Sequence, residues 1–319
     1  MDVLGPEDVH RLLDYPSLIA ALAEAHRQPA PVTSRVFLET PEDDRPVGEG
    51  FLVLPAWSAG RDFGTKLVTL LPDNAVKENG LPTVQAIYPY FDGETGAPKA
   101  VIDGTALTLR KTAADSSLGS SMLSRPDTET LLMVGAGALA PHLIAAHLAA
   151  RPSIDKVMVW NRTPERRDRL VAALRDDLEI EPATDLENAV CQADVISAAT
   201  MATEPLIRGA WLKPGTHVDL VGGFTPEMRE SDDEAIIRAS VFVDSFDTTV
   251  GVAGDIVQPM EAGVLAESDI RSDLYGLCRG DHPGRSDTDE ITLYKNGGGA
   301  HLDLFTARHL VQCFDAEQA

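Results

Sequence analysis

Short apolar runs, each followed by a turn and then a helical pattern, dominate the second half of the chain. The run Thr130–Val134 leads into Gly135-Ala136-Gly137 and the alanine- and leucine-rich segment Ala138–Ala150. Such a run is typical of a strand buried on both faces, and the segment beyond the glycines predicts a helix packed on it. Further strands are predicted at Lys156–Trp160, Glu179–Ala183, Val195–Ala199, His217–Val221 and Val241–Asp244, and helices at Pro164–Leu178 and Asp185–Gln192, with Asp185 as N-cap. This alternation predicts the α/β class, with a doubly wound parallel sheet.

The first half of the chain has a different pattern, in which most of the predicted elements are strands. Helices are predicted near Pro6, over Ser17–Arg27 and over Ala106–Leu123, and strands at Arg35–Leu38, Phe51–Leu54, Phe63–Leu70, Thr83–Phe91 and Lys99–Asp103. We expect no parallel crossover here, so this part should form a separate, mixed α+β domain.

The end of the chain returns to a strand, then glycines, then a helix that reaches about Phe314. We expect that helix to return to the first domain, because two-domain enzymes commonly close a cleft in this way. The predicted division is therefore residues 1–118 with 301–319 for one domain and residues 119–300 for the other.

Composition narrows the class of partner. The 319 residues carry a net charge of −23, which disfavours nucleic acid and anionic membranes as partners. Cys191, Cys278 and Cys313 are far apart and form no CxxC pair, so neither a disulfide framework nor a thiolate zinc site is indicated. With no HExxH or GxSxG motif, we predict no metal and no serine hydrolase chemistry. No apolar run reaches about 18 residues, and we expect a cytoplasmic protein.

The glycine turn carries the main functional signal. Gly135, Gly137 and Ala140 give the spacing G-x-G-x-x-A between a strand and a helix, which is the pattern of a Rossmann-type dinucleotide site. Unpaired N–H groups at the start of the helix favour a pyrophosphate. We therefore predict cofactor contacts from Gly135, Ala136, Gly137, Ala138 and Leu139; the alternative is an ordinary turn.

The end of the next strand indicates which nicotinamide cofactor is bound. Asn161, Arg162 and Thr163, with Arg166 just beyond, stand about 25 residues after the glycines, where an NAD site usually has an acidic residue for the ribose. Arginines in that place suit a 2′-phosphate, so we predict NADPH as the preferred cofactor and NADH as possible. The alternative is a solvated helix face. Ligands of such sheets bind at the carboxyl ends of the strands, which adds Thr200, Met201 and Gly222 as cofactor contacts.

Several motifs occur together in one order along nearly the whole chain. They are Gly64-Thr65-Lys66, Leu81-Pro82-Thr83, Thr112–Ala114, the glycine turn, Ala193-Asp194-Val195-Ile196, Pro214-Gly215-Thr216-His217 and Val221-Gly222-Gly223 with Arg229-Glu230. In combination they resemble the ornithine cyclodeaminase/mu-crystallin family. The resemblance implies a Rossmann domain inserted in a substrate-binding and dimerisation domain, a nicotinamide cofactor and a homodimer.

Within that family the chain looks most like the bacterial delta-1-pyrroline-2-carboxylate reductases. The stretches that carry this likeness include Ala106–Arg110, Leu132–His142, Val159–Arg162 and Asp219–Glu230. The resemblance implies reduction of a cyclic ketimine carboxylate to L-proline, or of its six-membered analogue to L-pipecolate, and a place in proline metabolism and hydroxyproline degradation. Alanine-dehydrogenase-like activity, cyclodeamination and a mu-crystallin-like ligand-binding role remain open alternatives.

Candidate substrate residues follow from the resemblance. Arg35, Lys66 and Lys111 match the positions that grip the substrate carboxylate, and Lys66 is the candidate proton donor if burial lowers its pKa. Lys111 replaces the usual arginine and so loses a two-pronged grip. Phe224 stands where the cyclodeaminases have an aspartate, which makes cyclodeamination unfavourable and suggests an apolar wall of the substrate pocket.

Each of these residues also has an ordinary structural interpretation: a surface charge for the cations, a core aromatic for Phe224. Asp303 is interpreted as a helix N-terminal acid rather than an active-site group, and His301 is left open between structure and a place near the nicotinamide. The pairs Asp43-Asp44 and Asp232-Asp233 are interpreted as solvated turns.

Overall fold

The structure, a computed structural model, describes residues 1–40, 49–75 and 81–319 and divides into two compact units. The first unit comprises Met1–Lys111 and Gly299–Ala319, and the second comprises Thr112–Gly298. The boundary therefore falls seven residues before the predicted end at residue 118 and two residues before the predicted return at residue 301. The helix Gly104–Leu123 runs unbroken through the first boundary, so no break in its pattern marks the place.

The first unit contains a seven-stranded mixed sheet. Its strands are β1 (Asp2–Leu4), β2 (Val32–Thr33), β3 (Val36–Glu39), β4 (Gly50–Ser58), β5 (Asp62–Leu70), β6 (Val84–Asp92) and β7 (Pro98–Asp103), in the order β1-β7-β6-β5-β4-β2 with β3 also paired to β4. The pairs are antiparallel except that β1 runs parallel to β7. The strand β1 was not predicted, because its three residues are too few to show an alternating pattern.

Helices cover one face of this sheet. The unit includes α1 (Pro6–Leu12), α2 (Tyr15–Arg27), the first two turns of α3 (Gly104–Leu123), and α11 (Ala300–Gln318). Along β5 the even-numbered residues from Asp62 to Val68 are buried and the odd-numbered ones are half-buried. The helix α11 packs on β4 and β5, so the buried face of β5 is the one beneath α11.

The second unit is built on an eight-stranded, wholly parallel sheet, which confirms the predicted doubly wound fold. The order is β10-β9-β8-β11-β12-β15-β13-β14. Its strands are β8 (Thr130–Val134), β9 (Lys156–Trp160), β10 (Ile180–Pro182), β11 (Val195–Ala198), β12 (His217–Leu220), β13 (Ala239–Val243), β14 (Ser272–Asp273) and β15 (Ile291–Lys295). The chain winds outward in one direction from β8 to β10 and in the other from β11, so the topological switch point lies between β8 and β11.

Seven helices connect these strands: α4 (Ala140–Ala150), α5 (Pro164–Leu174), α6 (Leu186–Gln192), α7 (Asp233–Arg238), α8 (Phe246–Thr249), α9 (Gly254–Glu261) and α10 (Leu274–Arg279). Asp185 caps α6 by accepting a hydrogen bond from the Asn188 N–H, as predicted. Asp232 caps α7 in the same way, through the Ala235 N–H. The pair Asp43-Asp44 lies outside the described residues. Over the parts of the chain that the structure describes, no helix combines the length and apolar character that a bilayer crossing requires.

Candidate active site

The glycine turn after β8 has the shape that a dinucleotide requires. Gly135 has φ of +112°, its N–H donates to the Trp160 carbonyl at 2.8 Å, and a Cβ there would lie 2.6 Å from the Ala199 carbonyl oxygen. Only glycine fits such a place. Gly137 is exposed, and a Cβ on it would meet none of the described residues within 4 Å. Packing therefore explains the first glycine, and open space for a ligand explains the second.

The residues beyond the turn are accessible at the start of α4. Ala138 is exposed and Leu139 half-buried. Leu139 is the N-cap and makes no side-chain capping bond, so the helix begins two residues later than predicted. These residues and the open face of Gly137 form a cradle that fits a pyrophosphate.

Asn161 supports the turn. Its Oδ1 accepts a hydrogen bond from the Ala136 N–H at 3.1 Å, and its Nδ2 donates to the Thr163 carbonyl at 2.9 Å. Arg162, Thr163 and Arg166 are exposed at the same strand end. In the described part of the chain neither Arg162 nor Arg166 has a carboxylate partner, so both guanidinium groups are available to an anion.

The loops after β11 and β12 are tied together by Glu230, which lies in the motif after Gly222. Its Oε1 accepts from the Thr200 N–H at 2.7 Å and the Thr200 hydroxyl at 2.8 Å, and its Oε2 accepts from the Gly222 N–H at 2.7 Å. A Cβ at Gly222 would lie 2.5 Å from Glu230 Oε1. Two loops predicted to contact the cofactor are thus held by one buried carboxylate, while Met201, which follows Thr200, is 76% exposed.

Two further buried charges adjoin Glu230. Lys295, at the end of β15, donates to the Gly222 carbonyl and lies 3.2 Å from Asp255 Oδ2. Asp255 Oδ1 accepts from the Glu230 N–H at 2.8 Å. Burial and the neighbouring Asp255 carboxylate raise the pKa of Glu230 to about 8. The sequence analysis did not predict Glu230, Asp255 and Lys295 as site residues. The one feature that could have indicated them is the lysine at the end of the apolar strand Ile291–Lys295.

Phe224 is a surface aromatic, not a core one. It is 54% exposed and follows Gly223, which has φ of +59° and whose Cβ would lie 2.3 Å from Asp255 Oδ2. The structural alternative of a buried aromatic is therefore removed, and its role in the substrate pocket stays a prediction.

In the first unit, Lys66 and Lys111 share one carboxylate. Lys66 Nζ lies 2.9 Å from Asp303 Oδ2, and Lys111 Nζ lies 2.8 Å from Asp303 Oδ1 and 3.0 Å from the Gly299 carbonyl. All three side chains are buried. When both lysines are protonated, two ammonium groups face one carboxylate, and one positive charge is left over. Burial lowers the pKa of Lys66, the Asp303 carboxylate raises it and the Lys111 charge lowers it, and the net pKa is about 8.

Asp303 and His301 lie in the first turns of α11, and the structure distinguishes them. Asp303 is an acid in the first turn of α11, as predicted, and it is also the counter-ion of both lysines. His301 packs edge-on against His26 and Phe305, with ring centroids 5.8 Å and 6.0 Å away. Burial lowers the pKa of His301 well below its usual range, which keeps the ring neutral. A place near the nicotinamide stays a prediction.

Arg35 lies before β3 and is exposed, whereas we expected it within a strand. Its register nevertheless relates it to Lys66. Thr33 lies opposite Ala56 and Val36 opposite Val53, so Arg35 falls opposite Leu54, which pairs with Lys66. Residues paired across neighbouring strands point to the same face of the sheet. Arg35 and Lys66 are two strands apart, a backbone distance of about 10 Å. Arg35 therefore points to the same face as Lys66.

Arg110 has a structural role. Its Nε donates to His10 Nδ1 at 3.1 Å, its NH2 donates to the His10 carbonyl at 2.7 Å, and its guanidinium lies 4.8 Å from the Tyr15 ring centroid. The adjacent Lys111, not Arg110, joins the buried ion group.

Comparison with known proteins settles the family. The model of the ornithine cyclodeaminase/mu-crystallin family matches residues 3–316, nearly the whole chain. The chain belongs to the ornithine cyclodeaminase/mu-crystallin family. The resemblance drawn from the motifs is confirmed, and the two-unit architecture with a dinucleotide-type sheet is that of its solved relatives.

Three relatives of this family member are informative. The delta-1-pyrroline-2-carboxylate reductase of Paracoccus denitrificans is 42% identical over 302 residues, covering 94% of this chain and 93% of the relative. The Thermococcus litoralis delta-1-pyrroline-2-carboxylate reductase, solved with NADH and L-proline, matches with a TM-score of 0.90 at 28% identity, covering 100% and 99% of the two chains. An archaeal alanine dehydrogenase dimer with bound NAD matches with a TM-score of 0.89 at 25% identity, covering 99% and 97%.

Proposed function

We propose that the chain is an NAD(P)H-dependent ketimine reductase that converts delta-1-pyrroline-2-carboxylate to L-proline, and its six-membered analogue to L-pipecolate. The observation that carries the proposal is the buried group of Lys66, Lys111 and Asp303, in which two cations face one anion. A second carboxylate would neutralise the remaining positive charge of this group, and the substrate carries a carboxylate. The sequence likeness to two reductases of this substrate supports the choice of ketimine.

The substrate carboxylate would take the surplus positive charge. Lys111 is anchored by Asp303 and the Gly299 carbonyl, so its ammonium keeps a fixed direction. Arg35 adds a second cation on the same face of the sheet and can grip a carboxylate with two N–H groups. Because the lysines are desolvated, their attraction for an anion is stronger than that of surface lysines.

Lys66 is the proposed proton donor. A general acid works best when its pKa lies near the operating pH, and burial brings the pKa of Lys66 to about 8. Its proton passes to the ring nitrogen, which makes the imine carbon electrophilic. A bound dihydronicotinamide supplies the hydride that this carbon accepts. Asp303 remains paired with Lys111 while Lys66 is neutral, and Lys66 recovers its proton from solvent.

NADPH is the proposed cofactor. Arg162 and Arg166 are exposed cations at the end of β9, and Asn161, in place of an acid, is already bonded to the turn. A 2′-phosphate would meet two arginines there, whereas a 2′-hydroxyl would meet no carboxylate acceptor. The Thermococcus reductase was solved with NADH, so the preference rests on these residues of this chain.

The proposed assembly is a homodimer formed through the sheet face opposite α11. The register puts six exposed or half-exposed apolar side chains on that face, a density that indicates an interaction site: Val32, Val36, Leu38, Phe51, Trp57 and Ile87. A cavity of about 520 Å³ opens there, lined by Trp57, Phe63 and Phe91 among others. The archaeal alanine dehydrogenase is described as a dimer, which supports the proposal.

The function is tested by NADPH oxidation with a panel of four substrates. These are pyrroline-2-carboxylate, piperideine-2-carboxylate, pyruvate with ammonia, and ornithine with NAD⁺. We expect the two cyclic ketimines to be reduced far faster than pyruvate and ornithine to release no ammonia. NADPH binding without turnover of any compound would favour a ligand-binding protein, and ammonia release would favour a cyclodeaminase; either result overturns the proposal.

Replacing Lys66 tests its role directly. Lys66→Met should lower kcat by about a hundredfold or more, the usual contribution of a general acid, while fluorescence titration shows unchanged NADPH binding. Lys99, an exposed lysine paired with Asp92, provides the control, and Lys99→Met should leave kcat unchanged. Full turnover by Lys66→Met would rule Lys66 out.

A further inference from the structure

A buried carboxylate joins two loops that are expected to contact the cofactor. These loops follow β11 and β12, which lie on the other side of β8 from β9 and its adenosine-ribose position, so the nicotinamide half would lie on their side. Glu230 accepts three hydrogen bonds of 2.7 Å, 2.8 Å and 2.7 Å, two from Thr200 after β11 and one from Gly222 after β12. All three lie within the usual range of well-formed hydrogen bonds. Because β11 and β12 are adjacent, parallel strands, one side chain can fix both loops at the carboxyl edge of the sheet.

The peptide groups before and after Gly222 are both held by buried side chains. Its N–H donates to Glu230 and its carbonyl accepts from Lys295, which in turn is paired with Asp255. Asp255 accepts the Glu230 and Ser231 N–H groups at 2.8 Å and 3.2 Å. Every member of the group is buried. These bonds fix the orientation of the two peptide groups that flank the Gly222 Cα atom.

Steric contact reinforces the arrangement. A Cβ at Gly222 would lie 2.3 Å from the Thr200 carbonyl oxygen, and one at Gly223 would lie 2.3 Å from Asp255 Oδ2. The loops and the carboxylates are therefore packed too closely for the turn to shift while the network is intact. By contrast, Met201 and Phe224, on the outer side of the same loops, are exposed.

We propose that Glu230 is a positioning residue that orients the Thr200 and Gly222 loops for the nicotinamide half of the cofactor. Asp255 accepts the backbone N–H of Glu230, and Lys295 binds the Gly222 carbonyl. The proposal rests on the proposed function, because it assumes that a dinucleotide binds at the glycine turn. It also assigns a division of labour. The adenosine half is bound at Gly135–Leu139 and Arg162, whereas the hydrogen bonds that the Glu230 carboxyl group accepts come from Thr200 and Gly222, so the nicotinamide half depends on Glu230.

The test compares whole dinucleotides with the same molecules lacking the nicotinamide ring. Titration calorimetry measures the Kd of NADPH, NADH, ADP-ribose 2′-phosphate and ADP-ribose for the wild type and for Glu230→Gln. A glutamine at Glu230 keeps one oxygen for Thr200 and puts an amide donor opposite the Gly222 N–H. We expect the NADPH Kd to rise about tenfold or more, the effect of leaving one buried N–H without its acceptor, and the ADP-ribose 2′-phosphate Kd to stay the same.

Two further variants keep the test decisive. Thr200→Val removes one of the three donors and should weaken NADPH in the same direction but by less. Glu234→Gln, at an exposed glutamate four residues along, is the matched control and should change no Kd. Unchanged binding of ADP-ribose 2′-phosphate by Glu230→Gln also shows that the variant is folded.

The outcomes separate the two proposals. If Glu230→Gln weakens both ligands equally, or neither, Glu230 does not position the nicotinamide half. If the wild type binds neither NADPH nor NADH, the proposed function fails instead.

Discussion

Lys66 lies in a predicted strand, yet its chemistry depends on a residue 237 positions later in the chain. A lysine in an apolar strand can be buried or exposed, paired or unpaired, and each state has a different pKa. Here burial beside Lys111 favours the neutral form and Asp303 favours the charged form. The pKa of about 8 is the balance of these effects.

That balance predicts a pH dependence for the reaction. Protonated Lys66 is the active form, so kcat/KM for ketimine reduction should fall as the pH rises through about 8. Initial rates of NADPH oxidation between pH 6.5 and 9.5 measure it. An arginine stays protonated throughout this range, so Lys66→Arg should be slower but lose the alkaline decline. An identical alkaline limb in both proteins would show that another group titrates.

Cofactor choice is also decided by single residues. Arg162→Ala and Arg166→Ala should each raise the KM for NADPH about tenfold, the cost of a charge-assisted phosphate contact, with little change for NADH. The reason is that only NADPH carries the 2′-phosphate. Steady-state kinetics with both cofactors provides the ratio. Arg169 is an exposed arginine of α5, the helix that contains Arg166, and Arg169→Ala should have no effect. Equal losses for NADPH and NADH in the Arg162 and Arg166 variants would contradict the proposed binding of the 2′-phosphate.

At the scale of the element, the sequence patterns located the long strands and helices within a few residues. Thr130–Val134 and Lys156–Trp160 are strands with the predicted bounds. The elements missed were short, such as β1, β14 and the helices α7 to α10. Two to eight residues rarely show a clear period, and tertiary contacts determine whether they become regular.

The strand–turn–helix unit at Gly135 predicts two different mutational effects. Gly137→Ala should leave thermal stability nearly unchanged, because a Cβ meets none of the described residues within 4 Å, but should abolish measurable NADPH binding by occupying the cofactor's space. Gly135→Ala should lower the unfolding free energy by about 1–3 kcal/mol, because a side chain is strained at φ of +112° and touches Ala199.

Calorimetric unfolding and NADPH titration of both glycine variants check this pair of effects. Tight NADPH binding by Gly137→Ala would show that the cofactor does not approach the second glycine.

At the scale of the whole molecule, the first unit has one sheet face covered by α11 and an opposite face that is apolar and exposed. Trp57 is 54% exposed on that face. A monomeric protein seldom leaves such a face in contact with water. One face of the sheet therefore holds Lys66 and its counter-ion, and the other is the face of the proposed dimer interface.

Charge on the apolar face should separate the subunits. We expect Trp57→Glu to convert a dimer into a monomer, because it buries an unpaired carboxylate at the interface. Light scattering after size-exclusion chromatography measures the mass. Ile237, which is 69% exposed in the second unit, provides the control, and Ile237→Glu should stay dimeric. A wild type that is monomeric at micromolar concentration would contradict the proposed assembly.

The sequence by itself determined the alternating fold of the second unit, the glycine turn, the family and the candidate cations. These depend on local pattern, since periodicity, glycine spacing and motif order are properties of neighbouring residues. Tertiary structure alone decided which charges meet. Lys66 and Lys111 share Asp303, and Glu230 joins Thr200 to Gly222, because strand register and helix packing bring together residues that are far apart in the chain. The protonation state and the ion pairs of a buried group depend on the residues around it, and folding is what brings those residues into contact.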